Sequence, residues 1–524
     1  MTLPGGGTWT YGYTSPNCSV PYMETKDDPN SVAQSLISVT DDQGRRVEYH
    51  FDIAGHLHES LTNQTFGQGG QQTGAIQTVY AYTYNSLNNG QTDWTLNTLQ
   101  QTWRTTGWPW SNNSPGSNLS SNVYTYDNSG QRLTNTITVG SGGSRTEQYG
   151  YDDVNRLVAV NYGDGQTQSY TFDAMGNRLS KTDVGGGING TENYTYNNAN
   201  MLLSRAGNAY TNDANGNTLT GGGRTNTWDS ENRMTQCVYN GTTSQFTYAA
   251  DGIRHRSVVN GVTTDFALDA SMFVRELRNG VSYATYLVGA RGPEYRRDDV
   301  AGTVSWYLFD GLGSVLAEVS PTGTITSSRN YDVYGNVRSG VNANGTSAHK
   351  FVGNLGHPSD NNTGLIYMQA RYMDPATGTF LNEDTGRQGY DWYTYCGGNP
   401  ANATDSNGRE WKRPDIVAFL AFMTGWQFVQ MAFQYVSIGA MGIATKAIIV
   451  ASACFAYAAI GMCDFVSAIL VTLQVLSTMR PVILQMFGSA VPAEFTVARD
   501  AAIGLLTIGL VEAAYIASIN SDAE

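Results

Sequence analysis

Short segments that alternate between aromatic and polar positions recur through the first four hundred residues. In each segment, two aromatic residues stand two positions apart and are followed by an aspartate and a turn-forming stretch. Residues i and i+2 of a strand point to the same face of a sheet, so both aromatic rings can be buried together. The clearest copies are YHFDIAGHL (49–57), YTYDNSGQRL (124–133), YGYDDVNRL (149–157) and YTFDAMGNRL (170–179).

The polar end of each unit predicts a tight turn. Asp127 and Asp173 can accept hydrogen bonds from turn N–H groups, and Gly130 and Gly176 can adopt positive φ. The next residues begin a returning strand, which gives one β-hairpin per unit. One hairpin buries too little surface to be stable alone, so we expect the units to stack into a continuous antiparallel sheet. These repeat residues are therefore predicted to be structural rather than catalytic.

The hydrophobic pattern changes after residue 410. Residues 416–445, 447–463 and 465–479 contain no charged side chain, and residues 501–511 form a last apolar stretch. The stretches are rich in Ala, Ile, Val and Leu and poor in helix breakers, which favours helix over strand. The sequence therefore predicts a mainly β chain followed by an all-α hydrophobic C-terminal domain.

The apolar tail raises the question of membrane insertion. A spanning helix needs about 17–25 apolar residues, a length that the first stretch reaches. Gln427, Gln430 and Gln434 recur at i, i+3 and i+7, which places one polar stripe on a membrane helix. The alternative is a soluble helical bundle. The last 114 residues hold five basic and seven acidic side chains, few for a soluble surface, so the sequence favours insertion.

The net charge and the positions of the cysteines and histidines argue against several kinds of partner and site. The net charge of −14 argues against nucleic acid as a partner, because phosphate binding needs clustered Lys and Arg. Five scattered cysteines without a CxxC pair predict no metal site, and no cofactor is expected. All six histidines precede residue 358, so His-dependent nuclease chemistry is not expected in the tail. No N-terminal secretory signal is visible.

The repeat unit resembles the YD repeat of the Rhs, teneurin and Tc-toxin families. WYLFDGLGSVLAEVSPTG (306–323), NTGLIYMQARYMDPATGTFLNED (362–384) and YTYCGGNPANATDSNG (393–408) look like the Rhs-associated core. The resemblance implies a spiralling, cocoon-like shell of stacked hairpins. Family shells are longer than this repeat region, which leaves a partial shell, a short variant or a fragment open. The implied domains are a lead-in (1–40), a YD-repeat shell (41–300), a closing core (301–410) and the helical tail (411–524).

Related toxin shells end in a D-P-x-G motif where two aspartates cut the chain as an aspartyl protease. Carried over by position, the pair is Asp384 and Asp405, and the cleavage motif includes Gly408 and Arg409. Such chemistry needs two carboxylates close enough to share a proton. This chain has Ser406 in place of the proline and Arg409 in place of an apolar residue. At most, we expect a single-turnover self-protease here, and the alternative is that both aspartates only form turns.

In the polymorphic-toxin members of the family, the shell holds a C-terminal effector. Combined with the apolar tail, the resemblance predicts a secreted effector of bacterial competition whose tail forms a pore in a target membrane. The expected partners are that membrane, a cognate immunity protein and secretion machinery, without nucleic acid or metal. Delivery by a specialised secretion system is expected. Two alternatives stay open: a cell-surface interaction protein anchored in the membrane by its tail, and an enzymatic toxin, which the missing histidines disfavour.

Overall fold

The structure is a computed structural model. It describes residues 10–13, 37–51, 57–64, 75–86, 92–104, 116–186, 189–269, 271–345, 347–387 and 391–412. The predicted helical domain and the stripe of Gln427, Gln430 and Gln434 lie outside these residues.

Two large antiparallel sheets account for most of the described chain. In each sheet every strand pairs with its neighbour in sequence, as expected for stacked hairpins. The first sheet contains β1 Thr10–Tyr13, β2 Ile37–Thr40, β3 Arg46–Phe51, β4 Leu57–Gln64, β5 Ala75–Ser86, β6 Thr92–Arg104, β7 Ser117–Tyr126, β8 Arg132–Val139, β9 Arg145–Tyr151, β10 Leu157–Asn161, β11 Thr167–Phe172, β12 Arg178–Val184, β13 Gly190–Tyr196, β14 Leu202–Arg205 and β15 Asn208–Ala209.

The second large sheet continues the same hairpin pattern, and three small sheets follow it. The second sheet contains β16 Thr211–Asn212, β17 Thr218–Gly221, β18 Arg224–Trp228, β19 Met234–Tyr239, β20 Thr242–Tyr248, β21 Arg254–Val259, β22 Val262–Asp269, β23 Met272–Arg278, β24 Val281–Gly289, β25 Gly292–Asp298, β26 Thr303–Phe309, β27 Val315–Val319 and β28 Ile325–Ser328. The small sheets contain β29 Asn330–Tyr331, β30 Val337–Ser339, β31 Ser359–Asp360, β32 Leu365–Met368, β33 Arg371–Asp374, β34 Thr379–Phe380, β35 Thr404–Asp405 and β36 Trp411–Lys412. Two short 3-10 helices, Gly353–Leu355 and Tyr395–Gly398, lie between them.

The turns of the repeat have one shared geometry, which Asp173 illustrates. Its Oδ1 accepts hydrogen bonds from the N–H groups of Met175 and Asn177, both at 2.9 Å. Gly176 has φ +100°, a left-handed conformation that a side chain would disfavour. Asp127 binds its own turn in the same way, with Oδ1 2.8 Å from both the Ser129 and Gln131 nitrogens, and Gly130 has φ +74°. We call this arrangement the repeat turn.

The two large sheets face each other across a packed core. Tyr49 and Leu99 from the first sheet belong to the same buried cluster as Val274 and Trp306 from the second. Polar contacts cross the same interface: the Tyr124 hydroxyl accepts a hydrogen bond from the Gly311 N–H at 2.6 Å. Burying one large apolar side chain stabilises a fold by about 1.5–3 kcal/mol, so this core holds the sheets together.

The residues after the second sheet, 347–412, form what we call the closing segment. A second buried cluster joins it to both sheets, because Tyr170, Leu316, Ile366 and Tyr395 all belong to that cluster. Further polar contacts, at 2.7–3.0 Å, tie the closing segment to early strands and turns. They join Arg224 to the Asp374 carboxylate, the Tyr393 hydroxyl to the Gly216 carbonyl, the Asn399 amide to the Asn155 carbonyl and the Arg132 N–H to the Asn402 side chain.

Candidate self-cleavage site

The closing segment ends in a turn between β35 and β36, which we call the junction turn. Thr404 pairs with Lys412, and Asp405 pairs with Trp411. The Asp405 Oδ1 accepts hydrogen bonds from the N–H groups of Asn407, Gly408 and Arg409, at 3.2, 2.7 and 3.1 Å. Gly408 has φ +72°. The sequence D-S-N-G therefore folds as the D-x-x-G of a repeat turn folds, without the proline of the related toxins.

Arg371 is the central side chain of the junction turn. It lies at the start of β33, is 4% exposed, and its Cζ is 3.6 Å from the centroid of the Phe380 ring. Its Nε donates to the carbonyl oxygen of Gly408, and its Nη1 donates to the carbonyl of Trp392 at 2.9 Å. The planar guanidinium thus fixes the Gly408 carbonyl and the backbone at Trp392 relative to each other.

The two aspartates named from the sequence lie at this same arginine. Arg371 Nη2 is 3.3 Å from Asp405 Oδ2 and 3.5 Å from Asp384 Oδ2. Asp384 is 4% exposed, and its Oδ1 accepts the N–H of Gly386 at 2.7 Å. Asp405 is fully buried. Two carboxylates and one guanidinium therefore share a site shielded from water, where electrostatic interactions are strong.

Burial shapes the protonation of this group. Burial raises the pKa of the Asp405 carboxyl, although Arg371 and the three turn N–H groups oppose the shift. Burial also lowers the pKa of Arg371, while both carboxylates oppose that change. A carboxyl whose pKa is raised holds a proton more readily, which is what a general acid requires.

His357 holds the junction turn from the other side. Its Nε2 donates to the carbonyl oxygen of Asp405 at 2.9 Å. A carbonyl can only accept, so Nε2 carries the proton in the neutral ring. Burial lowers the pKa of His357 to about 4, so the ring is neutral near pH 7. His357 positions the backbone of Asp405 and does not contact the peptide bond after Gly408 in any way that the structure describes.

Two side chains contact the two ends of the peptide bond between Gly408 and Arg409. Arg371 binds the carbonyl oxygen of Gly408, and the Asp405 carboxylate lies 3.1 Å from the Arg409 nitrogen. Arg371 and His357 were absent from the sequence-based site. An arginine inside the apolar run LIYMQARYMD was a signal of a buried charged partner that could have identified Arg371. Among the described residues, no cluster of three or more His, Cys, Asp or Glu side chains could hold a metal ion.

Comparison with protein families matches residues 116–266 to the teneurin YD-shell. The tRNA nuclease WapA of Bacillus subtilis (strain 168) is 30% identical over 271 residues, and the tRNA3(Ser)-specific nuclease WapA of Bacillus spizizenii is 30% identical over 273. Each match covers 49% of this chain and 12% of the relative. The chain therefore spans only a small part of the length of these relatives.

Solved Tc-toxin structures share the fold. A TcdB2-TccC3-TEV crystal structure superimposes with a TM-score of 0.53 and 18% identity, covering 71% of this chain and 21% of that one. The Tc holotoxin pore of Photorhabdus luminescens matches with a TM-score of 0.52 and 16% identity, covering 72% and 21%. At this identity the likeness concerns the fold alone.

These relatives correct the functional prediction. The prediction of a pore-forming membrane effector is wrong, and so is the prediction of a target membrane as its partner, because the relatives are named as nucleases. The exclusion of nucleic acid as a partner is wrong for the same reason. A long apolar run is also the composition of a buried helical core, and the net charge of −14 resides mainly in residues 1–410. Within the described part of the chain, no helix has the length and apolarity needed to cross a membrane.

Proposed function

We propose that this chain is part of a toxin that cuts its own backbone between Gly408 and Arg409. The strands β1 to β36, which we call the β-region, carry its resemblance to the Rhs/YD-repeat family. The observation that carries the proposal is the pair of contacts on that peptide bond. Arg371 donates to its carbonyl oxygen, and the Asp405 carboxylate lies at its nitrogen.

The chemistry follows from these positions. Arg371 stabilises the negative charge that develops on the Gly408 oxygen when water adds to the carbonyl carbon, as an oxyanion hole does. Asp384, held at the same guanidinium, takes the proton from the attacking water. Asp405, which enters the reaction as the protonated carboxyl, gives its proton to the Arg409 nitrogen as the C–N bond breaks. The new Gly408 carboxylic acid passes its proton to the new Arg409 amine, so the products are a Gly408 carboxylate and an Arg409 ammonium group, and atoms and protons balance.

We further propose that the segment after Gly408 acts on RNA, with tRNA as its substrate class. The support is the naming of the relatives, which match 49% of this chain at 30% identity. On this proposal the β-region carries and restrains the toxin, and self-cleavage separates the two. We also retain delivery outside the producing cell as a proposal, to be tested by detecting the chain in the medium of intact producing cells.

Self-cleavage is tested on the purified full chain. We expect a denaturing gel to resolve two fragments and N-terminal sequencing of the smaller one to begin at Arg409. The D405N variant should remain intact, with cleavage at least about 100-fold slower, because it loses the carboxyl proton donor. The matched control is D127N in a repeat turn, which should be cut like the unmodified chain. A wild-type chain that stays intact would contradict the proposal.

The RNA activity is tested with the same protein and two parallel substrates. We expect the full chain to degrade purified tRNA and to leave dye-filled lipid vesicles intact. If D405N degrades tRNA more slowly than the unmodified chain, cleavage is needed for full activity. Intact tRNA after incubation with a fully cleaved chain would contradict an RNA-directed toxin.

A further inference from the structure

The chain does not leave the β-region at the proposed cleavage point. After Gly408 it turns back and forms β36, whose backbone pairs with β35: Thr404 opposite Lys412 and Asp405 opposite Trp411. Residues 409–412 therefore lie downstream of the bond but inside the fold of the closing segment. Cutting the bond removes one covalent connection and leaves these pairings in place.

Trp411 is the main apolar contact of this short stretch. Its ring packs against the second buried cluster, which includes Tyr395 and Ala403. A Cβ placed on Gly397 would lie only 2.9 Å from the Trp411 ring, and Gly397 has φ +58°. The glycine thus leaves the space that the indole occupies. An aromatic side chain seated in a fitted recess is the usual anchor of a protein interface.

Cleavage would create a new N-terminus at Arg409, and this nitrogen already has hydrogen-bond partners in the intact chain. The Arg409 nitrogen lies 2.9 Å from Asn407 Oδ1 and 3.1 Å from Asp405 Oδ1, and the Glu410 N–H donates to Asn407 Oδ1 at 3.1 Å. Hydrolysis turns the Arg409 amide into an ammonium group. An ammonium facing a carboxylate makes a stronger, charge-assisted bond than the amide it replaces.

We propose that residues 409–412 form a non-covalent latch that keeps the downstream fragment bound to the β-region after the backbone is cut. Release is then a separate step, which requires Trp411 to leave its recess. The role of the latch after hydrolysis rests on the proposed self-cleavage, whereas the docking of Trp411 exists in the intact chain too. The occupant is a segment of this chain, and no second protein is needed.

The docking is tested in the intact full chain by amide hydrogen exchange. We expect the amides of residues 409–412 to be protected in the unmodified chain. In W411A they should exchange at least about tenfold faster, because the partly buried ring that packs β36 against the second buried cluster is gone. W411F should restore most of the protection, and W228A, in β18 outside the junction turn, should not change it. Unprotected amides in the unmodified chain would overturn the latch.

The consequence for release is tested by comparing denaturing and native separations. We expect the cleaved chain to give two bands on a denaturing gel and one peak on native size exclusion. W411A should still give two bands, and its fragments should elute apart, with dissociation at least about 30-fold faster. Fragments that co-elute in W411A, or that separate in the unmodified chain, would overturn the latch. A single denaturing band would instead overturn the self-cleavage, and hydrogen exchange would then decide the docking alone.

Discussion

The repeat turn at Asp173 and the junction turn at Asp405 share one backbone design. In both, Oδ1 of the aspartate accepts the N–H groups two and four residues later, and a glycine three residues later has positive φ. They differ at the second carboxylate oxygen. Asp173 Oδ2 is held by the side chain of Asn177 from its own turn at 2.8 Å, whereas Asp405 Oδ2 faces Arg371.

That difference shows how a structural turn becomes a candidate reactive site. Asp173 is half-buried, while Asp405 is fully buried beside a second carboxylate and a guanidinium. The turn places the peptide bond, and the surroundings supply charge and exclude water. Burial raises the pKa of the Asp405 carboxyl, which suits it to the role of proton donor that we propose for it.

The largest expected effect comes from the Arg371 guanidinium, which is buried and reaches Asp405 from another strand. In the repeat turns at Asp152 and Asp229, the arginine on Oδ2 comes from the turn itself and is part-exposed. We expect R371K to slow self-cleavage about 100- to 1000-fold, because lysine keeps the charge but cannot bind the Gly408 carbonyl and both carboxylates together. A time course on denaturing gels measures it. The control is R233K, which alters an arginine paired with Asp229 in a repeat turn. Equal cleavage rates in R371K and R233K would remove Arg371 from the mechanism.

The glycines of the two turns should tolerate alanine differently. At Gly176 a Cβ meets its nearest atom at 3.8 Å, so G176A pays only for the left-handed backbone, about 1 kcal/mol. At Gly408 a Cβ would lie 2.2 Å from the Met368 carbonyl oxygen, so G408A must also displace backbone and should cost about 3 kcal/mol or more. Urea unfolding compares the two. Similar losses in both variants would show that the junction turn is not tightly enclosed.

Acid should weaken the junction turn through His357. Burial lowers its pKa from 6.5 to about 4. Between these values the unfolded chain binds the proton and the folded chain does not, so stability falls as pH drops from 6.5 to 4, by up to about 3 kcal/mol. Burial lowers the pKa of His349 to about 3, which acts in the same direction.

This dependence is measured by urea unfolding at several pH values across that window. We expect H357Q to have a shallower loss of stability toward acid than the unmodified chain, with the remaining slope due in part to His349. A slope that H357Q leaves unchanged would mean that His357 is not excluded from protonation in the folded protein.

The smallest expected effect concerns the proline that this chain lacks. S406P should stabilise the protein by about 0.5–1 kcal/mol, because proline restricts the unfolded chain and Asp405 is already in the extended conformation that precedes proline. Self-cleavage should become about two- to fivefold faster as the turn is better fixed. N128P makes the same change in the Asp127 turn and should leave the cleavage rate unchanged. A slower cut in S406P would show that this turn does not fit proline.

The hairpins could be predicted from the sequence because short sequence patterns specify them. Aromatic residues two apart, followed by Asp and Gly, encode a strand and its turn within ten residues, and the family resemblance they suggested is confirmed. The environment of Asp405 could not be predicted from the sequence, because Arg371 and His357 come close to it only when the closing segment is folded. The packing of the two large sheets against each other, as between Tyr49 and Val274, is equally non-local.

The tail shows the limit of composition. Apolar runs without charge indicate burial, but they do not show whether lipid or protein surrounds them. The prediction from residues 416–511 of a membrane-inserting, pore-forming effector was wrong. The absence of histidine was given too much weight against an enzymatic toxin, because other residue types also serve as acids, bases and nucleophiles.

The docking of Asn399 and Asn402 on the Asn155 and Arg132 backbones has a consequence for timing. The partners in these contacts are separated by 244 and 270 residues, so the early turns are synthesised long before the segment that docks on them. Asn399 and Asn402 lie between Asp384 and Asp405 in the chain, so we expect their docking to help bring both aspartates to Arg371. We therefore expect that a chain still emerging from the ribosome, or one that has misfolded, does not assemble the proposed site. The self-cleavage we propose would then act as a checkpoint that reports the completed β-region before its cargo is set free.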